Sequence, residues 1–480
     1  MLEKITPRYQ ALLLLLLWGT LLLTSGVLRM DAYGVDEAAA RALLLVWSIV
    51  DRVINPVIVL GLPDLRALLF APIGIYWPGS IIAAKVFSAL ITFAGILMCY
   101  NHYQRGGKEE AALIGSGLLL IAPLTLEQIN AIAAGPYLLL GFILGQWLDQ
   151  AYRRSQRPWG GWFFLHMLVI MVITSIHPLA LAYPLALVIE WYRNPLDNRQ
   201  QRHVFIGVAS AVVITLLLRG GWNGIDWLAN PLPSLSGVVW GDIDSEPFSI
   251  SSALVALTLA MILLLKFRQL ARDFQGLTLL LAVIPGLFYA DLNWAFIVLV
   301  LLLYSGSSSL IEVNSKLGGN NFAGQRGLAM LVLFVIATLF MQGDSSRREA
   351  IAANLLKPED ALIQNLALEL EDASVDSVQI MSQWPGRTML ATRRKVFPLP
   401  PDYPDSETFL KNIRGTTHII FDPRDPANRV LSKHLANLTA ISETSYMERG
   451  GVIIEIDTRR QGDEQARHIT PPAPPTGDGE

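Results

Sequence analysis

The chain has 480 residues, of which 52% are hydrophobic and 16% are charged, and its formal net charge is −3. Soluble domains carry about 25% charged residues, so this composition and a mean hydropathy of +0.42 indicate a protein that lies mainly in a lipid bilayer. The slightly acidic balance argues against nucleic acid as a partner and favours membrane lipids or lipid-linked molecules. A single cysteine, Cys99, excludes an intramolecular disulfide.

The N-terminus has the charge layout of a signal sequence, because Lys4 and Arg8 precede an apolar run from Ala11 to Leu23. The residues that follow this run provide no small-x-small cleavage site. We therefore expect an uncleaved first transmembrane helix.

Apolar stretches that are long enough to cross a hydrocarbon core of about 30 Å recur along the chain. They predict a polytopic α-helical membrane protein of about eleven transmembrane helices. The predicted helices centre near Leu17, Ala89, Leu118, Leu140, Val169, Ala186, Ile214, Leu259, Leu281, Val300 and Val335.

Lys and Arg crowd alternate short loops, such as the loop with Arg105 and Lys108, whereas the turns near Leu126, His177 and Asn293 contain neither residue type. The positive-inside rule then predicts a cytoplasmic N-terminus. We expect a multi-pass protein of the plasma membrane, the bacterial inner membrane, with its C-terminal part on the periplasmic or extracellular side.

The composition divides the chain into three parts. Residues 1–343 are predicted to form the transmembrane domain, with a long first outer loop at about 29–77. From Ser345 a helical pattern alternates with strand-like runs, which predicts a small extracytoplasmic α/β domain over 344–460. The proline-rich residues 461–480 are predicted to be a disordered tail.

Two acidic residues, Asp36 and Glu37, follow the first span at its outer end, and Arg41 lies one helical turn later. A carboxylate at this depth is able to accept a proton from a hydroxyl or an amine of an acceptor. The alternative interpretation is an N-cap, in which Asp36 accepts exposed amides at the start of an interfacial helix. Soluble-enzyme motifs, such as a glycine-rich phosphate loop or a closed His/Cys metal site, are absent from the sequence.

The segment from Tyr33 to Ala40, which contains this acidic pair, resembles the Asp-Glu signature of the GT-C membrane glycosyltransferases. The likeness is greatest to the protein O-mannosyltransferase and lipid A aminoarabinose transferase branch. Three further segments resemble the part of those proteins where the chain re-enters the membrane, namely Leu62–Leu65, Trp77–Ser80 and Ala83–Leu90. The C-terminal segments that begin at Arg394, Gly415 and Gly451 are similar in order to segments of the outer α/β domain that many GT-C proteins carry.

The resemblance implies a GT-C-like fold and the transfer of a sugar from a polyprenyl-phosphate donor to a glycan, lipid or protein acceptor at the outer face. Asp36 would be the general base and Glu37 a second catalytic carboxylate, or a carboxylate that only orients its neighbour or caps a helix. Many members have a lysine beside a proline pair, but this chain has Leu62-Pro63-Asp64-Leu65. The residues expected instead at the donor phosphate are Lys85, Arg66 and His177, and those expected to line the cavity are Glu127 and Asn130.

Several alternatives stay open at this point. Lys85 lies near the end of its span, where it could simply extend towards the interface, and His177 could be a satisfied interfacial residue. No metal site is predicted with certainty, although Asp31 and Asp36 could share a divalent ion. The whole chain could also be a transporter or flippase for a lipid or a small solute, or a non-catalytic membrane scaffold of the same fold.

Overall fold

The fold is described from a computed structural model. The structure describes residues 7–28, 34–51, 65–155, 160–193, 205–213, 267–286, 292–317, 336–338, 358–373, 378–400, 405–423, 431, 434, 442–448 and 451–456. Predictions for Asp31, for residues 461–480 and for the spans centred near Ile214, Leu259 and Val335 concern residues outside these ranges.

Helices make up most of the described chain. They are α1 (Pro7–Thr24), α2 (Glu37–Asp51), α3 (Arg66–Tyr76), α4 (Ile81–Arg105), α5 (Glu109–Ile121), α6 (Pro123–Asn130), α7 (Gly135–Arg154), α8 (Gly161–Ile176), α9 (Ala182–Arg193), α10 (Phe274–Gly286), α11 (Leu292–Leu317), α12 (Pro358–Glu369), α13 (Pro385–Thr392) and α14 (Ser406–Asn412). The strands are β1 (Gln379–Ser382), β2 (Lys395–Pro398), β3 (His418–Phe421), β4 (Ser442–Glu448) and β5 (Gly451–Ile456).

Two of the described helices are long and apolar enough to cross a membrane, namely α4 and the segment Leu292–Ser309 of α11. The pair α5 and α6, which is bent by 56°, would add a third span if it counts as one. Shorter apolar helices of 10–17 residues occur at Arg8–Thr24, Arg66–Tyr76, Gly161–Ile176 and Phe274–Val283. The helical, membrane-type architecture agrees with the sequence, whereas the number of about eleven spans stays a prediction.

Contacts divide the chain into two units. The first comprises Met1–Met30, Asp64–Ile73 and Ser80–Ala353, and the second comprises Asp31–Pro63, Gly74–Gly79 and Asn354–Glu480. We refer to them as the helical unit and the sheet unit. The described residues 34–51 of the predicted outer loop fall in the sheet unit, and the predicted domain bounds stay a prediction.

The core of the helical unit lies among α4, α5, α7, α8 and α11. Helices α7 and α8 approach closely at Gly141, where an added Cβ would lie 2.2 Å from Cγ2 of Ile173. Two hydrogen bonds attach the α6–α7 turn to the start of α11. The side-chain amide of Gln128 donates to the backbone carbonyl of Leu292 at 2.7 Å. The backbone amide of Gly135 donates to Oδ1 of Asn293 at 2.8 Å. The turn at residues 131–134 is therefore fixed on both sides by hydrogen bonds to the first residues of α11.

The sheet unit contains a five-stranded mixed sheet of order β2-β1-β3-β5-β4. Strand β1 pairs in parallel with β2 and β3, and β5 pairs antiparallel with β3 and β4. All four residues of β3 are buried, because this central strand is covered on both faces. Phe409 and Leu410 of α14, together with its C-cap residue Ile413, share one apolar cluster with β3 and β5.

Candidate functional site

The sequence-predicted residues Asp36 and Glu37 lie in the sheet unit, at the start of α2. The Asp36 carboxylate accepts the Ala39 amide at 3.3 Å, and Asp36 is partly buried. This is the N-cap geometry, in which a side-chain oxygen satisfies an amide of the first helical turn. The structure therefore shows Asp36 as an N-cap of α2. Its role as a general base stays a prediction, and one carboxylate is able to have both roles.

Glu37 has a partner that is 349 residues away in sequence. Its Oε1 accepts the Gly386 amide at 2.8 Å, and its Oε2 accepts the Arg387 amide at 3.0 Å. Arg41 donates from Nε to the same Oε1 at 2.8 Å. Because Gly386 and Arg387 open α13, a carboxylate from α2 satisfies the exposed amides at this helix N-terminus and complements its dipole.

The contact between α2 and α13 leaves no space for a larger residue at Gly386. A Cβ there would lie 2.8 Å from Oε1 of Glu37 and 2.9 Å from Cγ of Arg41. The far end of α13 is also attached to α2, because the Arg393 guanidinium lies 4.5 Å from the Trp47 ring centroid. Sequence reasoning missed this interface, although Pro385 at the first helical position is typical of a helix start.

Lys85 and Asn130, which the sequence predicted separately, are in contact in the helical unit. The Lys85 ammonium donates to Oδ1 of Asn130 at 3.0 Å, and the side chain of Lys85 is fully buried. A lysine that extended to the membrane interface would keep its ammonium exposed. The structure therefore favours an internal polar site for Lys85, with α6 supplying the amide.

Arg66 contacts the same region as Lys85. It is 1% exposed, and its Nη1 donates to the Ile132 carbonyl at 3.0 Å. Ile132 has a φ of 52°, a left-handed conformation that a β-branched residue rarely adopts. Two buried cations thus hold the short segment 130–132, one through a side chain and one through the backbone.

The remaining two predicted residues lie in the same unit. Glu127 is partly buried on α6, one turn before Asn130. Nδ1 of His177 accepts the Leu179 amide at 3.2 Å, so Nδ1 is occupied by this backbone contact. A phosphate contact by His177 would therefore be made through Nε2. Beside it, the Ser175 hydroxyl accepts the Leu65 amide at 3.0 Å, immediately before Arg66.

The chain has a GT-C-like fold, which two solved structures share with it. The resemblance of the segment Tyr33–Ala40 and the later motifs is thus confirmed at the level of fold.

Two of the solved structures that the chain resembles are crystal structures of ArnT from Cupriavidus metallidurans. The apo structure superposes with a TM-score of 0.50 and 14% identity, over 93% of this chain and 98% of that chain. The structure bound to undecaprenyl phosphate superposes with a TM-score of 0.52 and 12% identity, over 93% and 97%. Comparisons with protein-family models and with curated proteins find no match.

Proposed function

We propose that this protein is a GT-C-type glycosyltransferase that moves a sugar from a polyprenyl-phosphate donor to a lipid, glycan or protein acceptor. The reaction would take place at the outer face of the plasma membrane, with the N-terminus in the cytoplasm. The proposal rests on two buried cations, Lys85 and Arg66, which contact Asn130 and Ile132. The chain that contains them shares its fold with a protein solved with undecaprenyl phosphate.

The donor phosphate would be bound by Lys85 and Arg66. A phosphate offers both negative charge and acceptor oxygens to two cations that contact the same short segment. Arg offers a planar fork of donors and Lys a compact point charge, so the two residues are able to contact different phosphate oxygens. His177, Glu127 and Asn130 would complete the surroundings of the donor.

The chemical step would break the bond between the anomeric carbon of the sugar and the phosphate oxygen. The acceptor hydroxyl or amine would form the new bond to that carbon, and its proton would pass to Asp36. Polyprenyl phosphate would leave with the electron pair, and Lys85 and Arg66 would stabilise its negative charge. Glu37 would fix the first turn of α2, and with it the Asp36 side chain, through α13.

The test is to incubate membranes that contain the protein with a panel of radiolabelled polyprenyl-phosphate sugars. We expect the label of one donor to move to a new product while unglycosylated polyprenyl phosphate accumulates. Movement of an intact labelled donor across vesicle membranes, without product, would support a flippase instead. A parent protein that neither transfers nor moves any donor of a complete panel would favour the scaffold interpretation and overturn the proposal.

A further inference from the structure

Three potential metal ligands converge in the sheet unit, away from the residues discussed so far. They are Glu369 at the end of α12, His418 at the start of β3 and Glu455 in β5. One ligand atom from each lies within 4.8 Å of those of the other two. His418 and Glu455 are direct partners in the antiparallel register of β3 and β5, so the sheet itself fixes their proximity.

The hydrogen bonds around Thr417 determine which nitrogen of His418 faces this cluster. The Thr417 hydroxyl donates its only proton to the Gln379 carbonyl at 2.9 Å and accepts the Gln379 amide at 3.1 Å. Its contact with Nδ1 of His418, at 2.9 Å, is then a hydrogen bond that the imidazole donates, in the tautomer that keeps the hydroxyl proton on the Gln379 carbonyl. With the proton on Nδ1, Nε2 of a neutral imidazole presents its lone pair to the carboxylates.

This arrangement is the one that metal-binding histidines usually have. A ligating imidazole commonly donates from its other nitrogen to an oxygen acceptor, which fixes the tautomer and the ring orientation. His418 is buried, Glu455 is partly buried and Glu369 is exposed.

The distances also suit an ion better than a direct contact. Nε2 of His418 lies 3.8 Å from Oε1 of Glu369, which is too long for a hydrogen bond. Ligand atoms at about 2.1 Å from a tetrahedral ion lie about 3.4 Å apart. A small movement of the exposed Glu369 side chain would bring its carboxylate to that spacing from Nε2 of His418.

We propose that Glu369, His418 and Glu455 bind a divalent transition-metal cation of the zinc type, which fastens α12 to strands β3 and β5. One imidazole and two carboxylates form a donor set that suits Zn²⁺, whereas Ca²⁺ and Mg²⁺ prefer sites made of oxygen alone. Three protein ligands leave a fourth position for water. The bound ion would connect α12 to strands β3 and β5 of the sheet unit, so removing it should lower the stability of that unit.

The experiment uses the full chain, purified in detergent without a histidine tag and stripped of metal with a chelator. We expect Zn²⁺ to bind with a stoichiometry of about one per chain and to raise Tm by roughly 2–4 °C. Co²⁺ should give the visible absorption bands of a tetrahedral site with a nitrogen ligand.

Three variants make the assignment specific. His418→Gln and Glu455→Gln should lose zinc binding and the rise in Tm. Glu369→Gln changes an exposed side chain, so it should retain the metal-free Tm while it weakens zinc binding at least tenfold. Glu371→Gln, an exposed glutamate just beyond α12, is the matched control and should bind zinc as the parent does. Equal zinc binding by the parent and Glu369→Gln, or no binding by the parent, would overturn the proposal.

Discussion

Asp36 is both an N-cap of α2 and the proposed general base, and a single substitution is able to separate these two roles. Asn caps helices about as well as Asp, so Asp36→Asn should retain the hydrogen bond to Ala39 and the fold. The amide cannot accept the acceptor's proton, so we expect turnover to fall roughly 100-fold or more. Transfer of label from the donor identified above measures this rate, with Tm as the check on folding.

The matched control for this substitution is Asp405→Asn. Asp405 is also an N-cap, because its carboxylate accepts the Thr408 amide at 2.7 Å and the Thr408 hydroxyl at 2.9 Å. These hydrogen bonds hold the pKa of Asp405 below its ordinary value. Asp405→Asn should leave turnover unchanged, and a parental rate for Asp36→Asn would remove Asp36 from the proposed mechanism.

Lys85 is predicted to matter for the donor rather than for the acceptor. Lys85→Met keeps the apolar stem and removes the charge that would stabilise the leaving phosphate. We therefore expect sugar transfer to be roughly 100-fold slower. Lys85→Arg should retain part of the activity because it retains the cation. The exposed Lys411→Met is the control. If Lys85→Met and Lys411→Met transferred label equally fast, the phosphate site would have to lie elsewhere.

At the residue scale, the sequence revealed side-chain types but not their partners. Lys85 and Asn130 were both candidates, yet their contact depends on how α4 and α6 pack, which no local pattern encodes. Glu37 was predicted beside Asp36 as a catalytic group. Its actual partners, the amides of Gly386 and Arg387, could not be found because backbone amides carry no sequence signature.

At the scale of elements, the contact between α2 and α13 depends on Glu37 and on the absence of a side chain at Gly386. Glu37→Ala removes the acceptor of two helix N-terminal amides, which should cost about 1–3 kcal/mol per unsatisfied group. Gly386→Ala should also destabilise, because its Cβ would collide with Glu37. We expect a lower Tm and faster limited proteolysis of the C-terminal residues in both variants.

Gly117→Ala is the control for the glycine substitution. Gly117 lies inside α5, and an added Cβ there has no atom within 4 Å. Alanine is a better helix former than glycine, so this variant should be neutral or slightly more stable. A Gly386→Ala protein as stable as Gly117→Ala would mean that α2 and α13 do not depend on this close approach.

The elements themselves were predicted unevenly, for reasons that differ between the units. Strands β3 and β5 coincide with continuous apolar runs, and this pattern is typical of buried strands. Strand β2 and helix α13 were missed, because Lys395–Pro398 carries little apolar pattern and the short α13 depends on a cap from a distant glutamate.

At the scale of the whole molecule, the charge asymmetry of the loops predicts that the C-terminal residues lie outside the cytoplasm. A reporter that is active only in the cytoplasm, fused at Gly462, should therefore give no signal. The same reporter fused at Lys108 should be active, because Lys108 belongs to a predicted inner loop. Strong activity at Gly462 would reverse the topology and with it the side of the membrane on which transfer is proposed.

The composition of the sheet unit has a consequence for the order of folding. Helix α2 belongs to the sheet unit, yet its partner α13 follows about 350 residues later in synthesis. At ribosomal rates this interval lasts roughly 20–70 s, during which the Glu37 carboxylate cannot bind the α13 amides. The sheet unit must therefore fold late, after the intervening helical segments have been made. A chain that stops before Pro385 would leave α2 permanently without the helix that it caps.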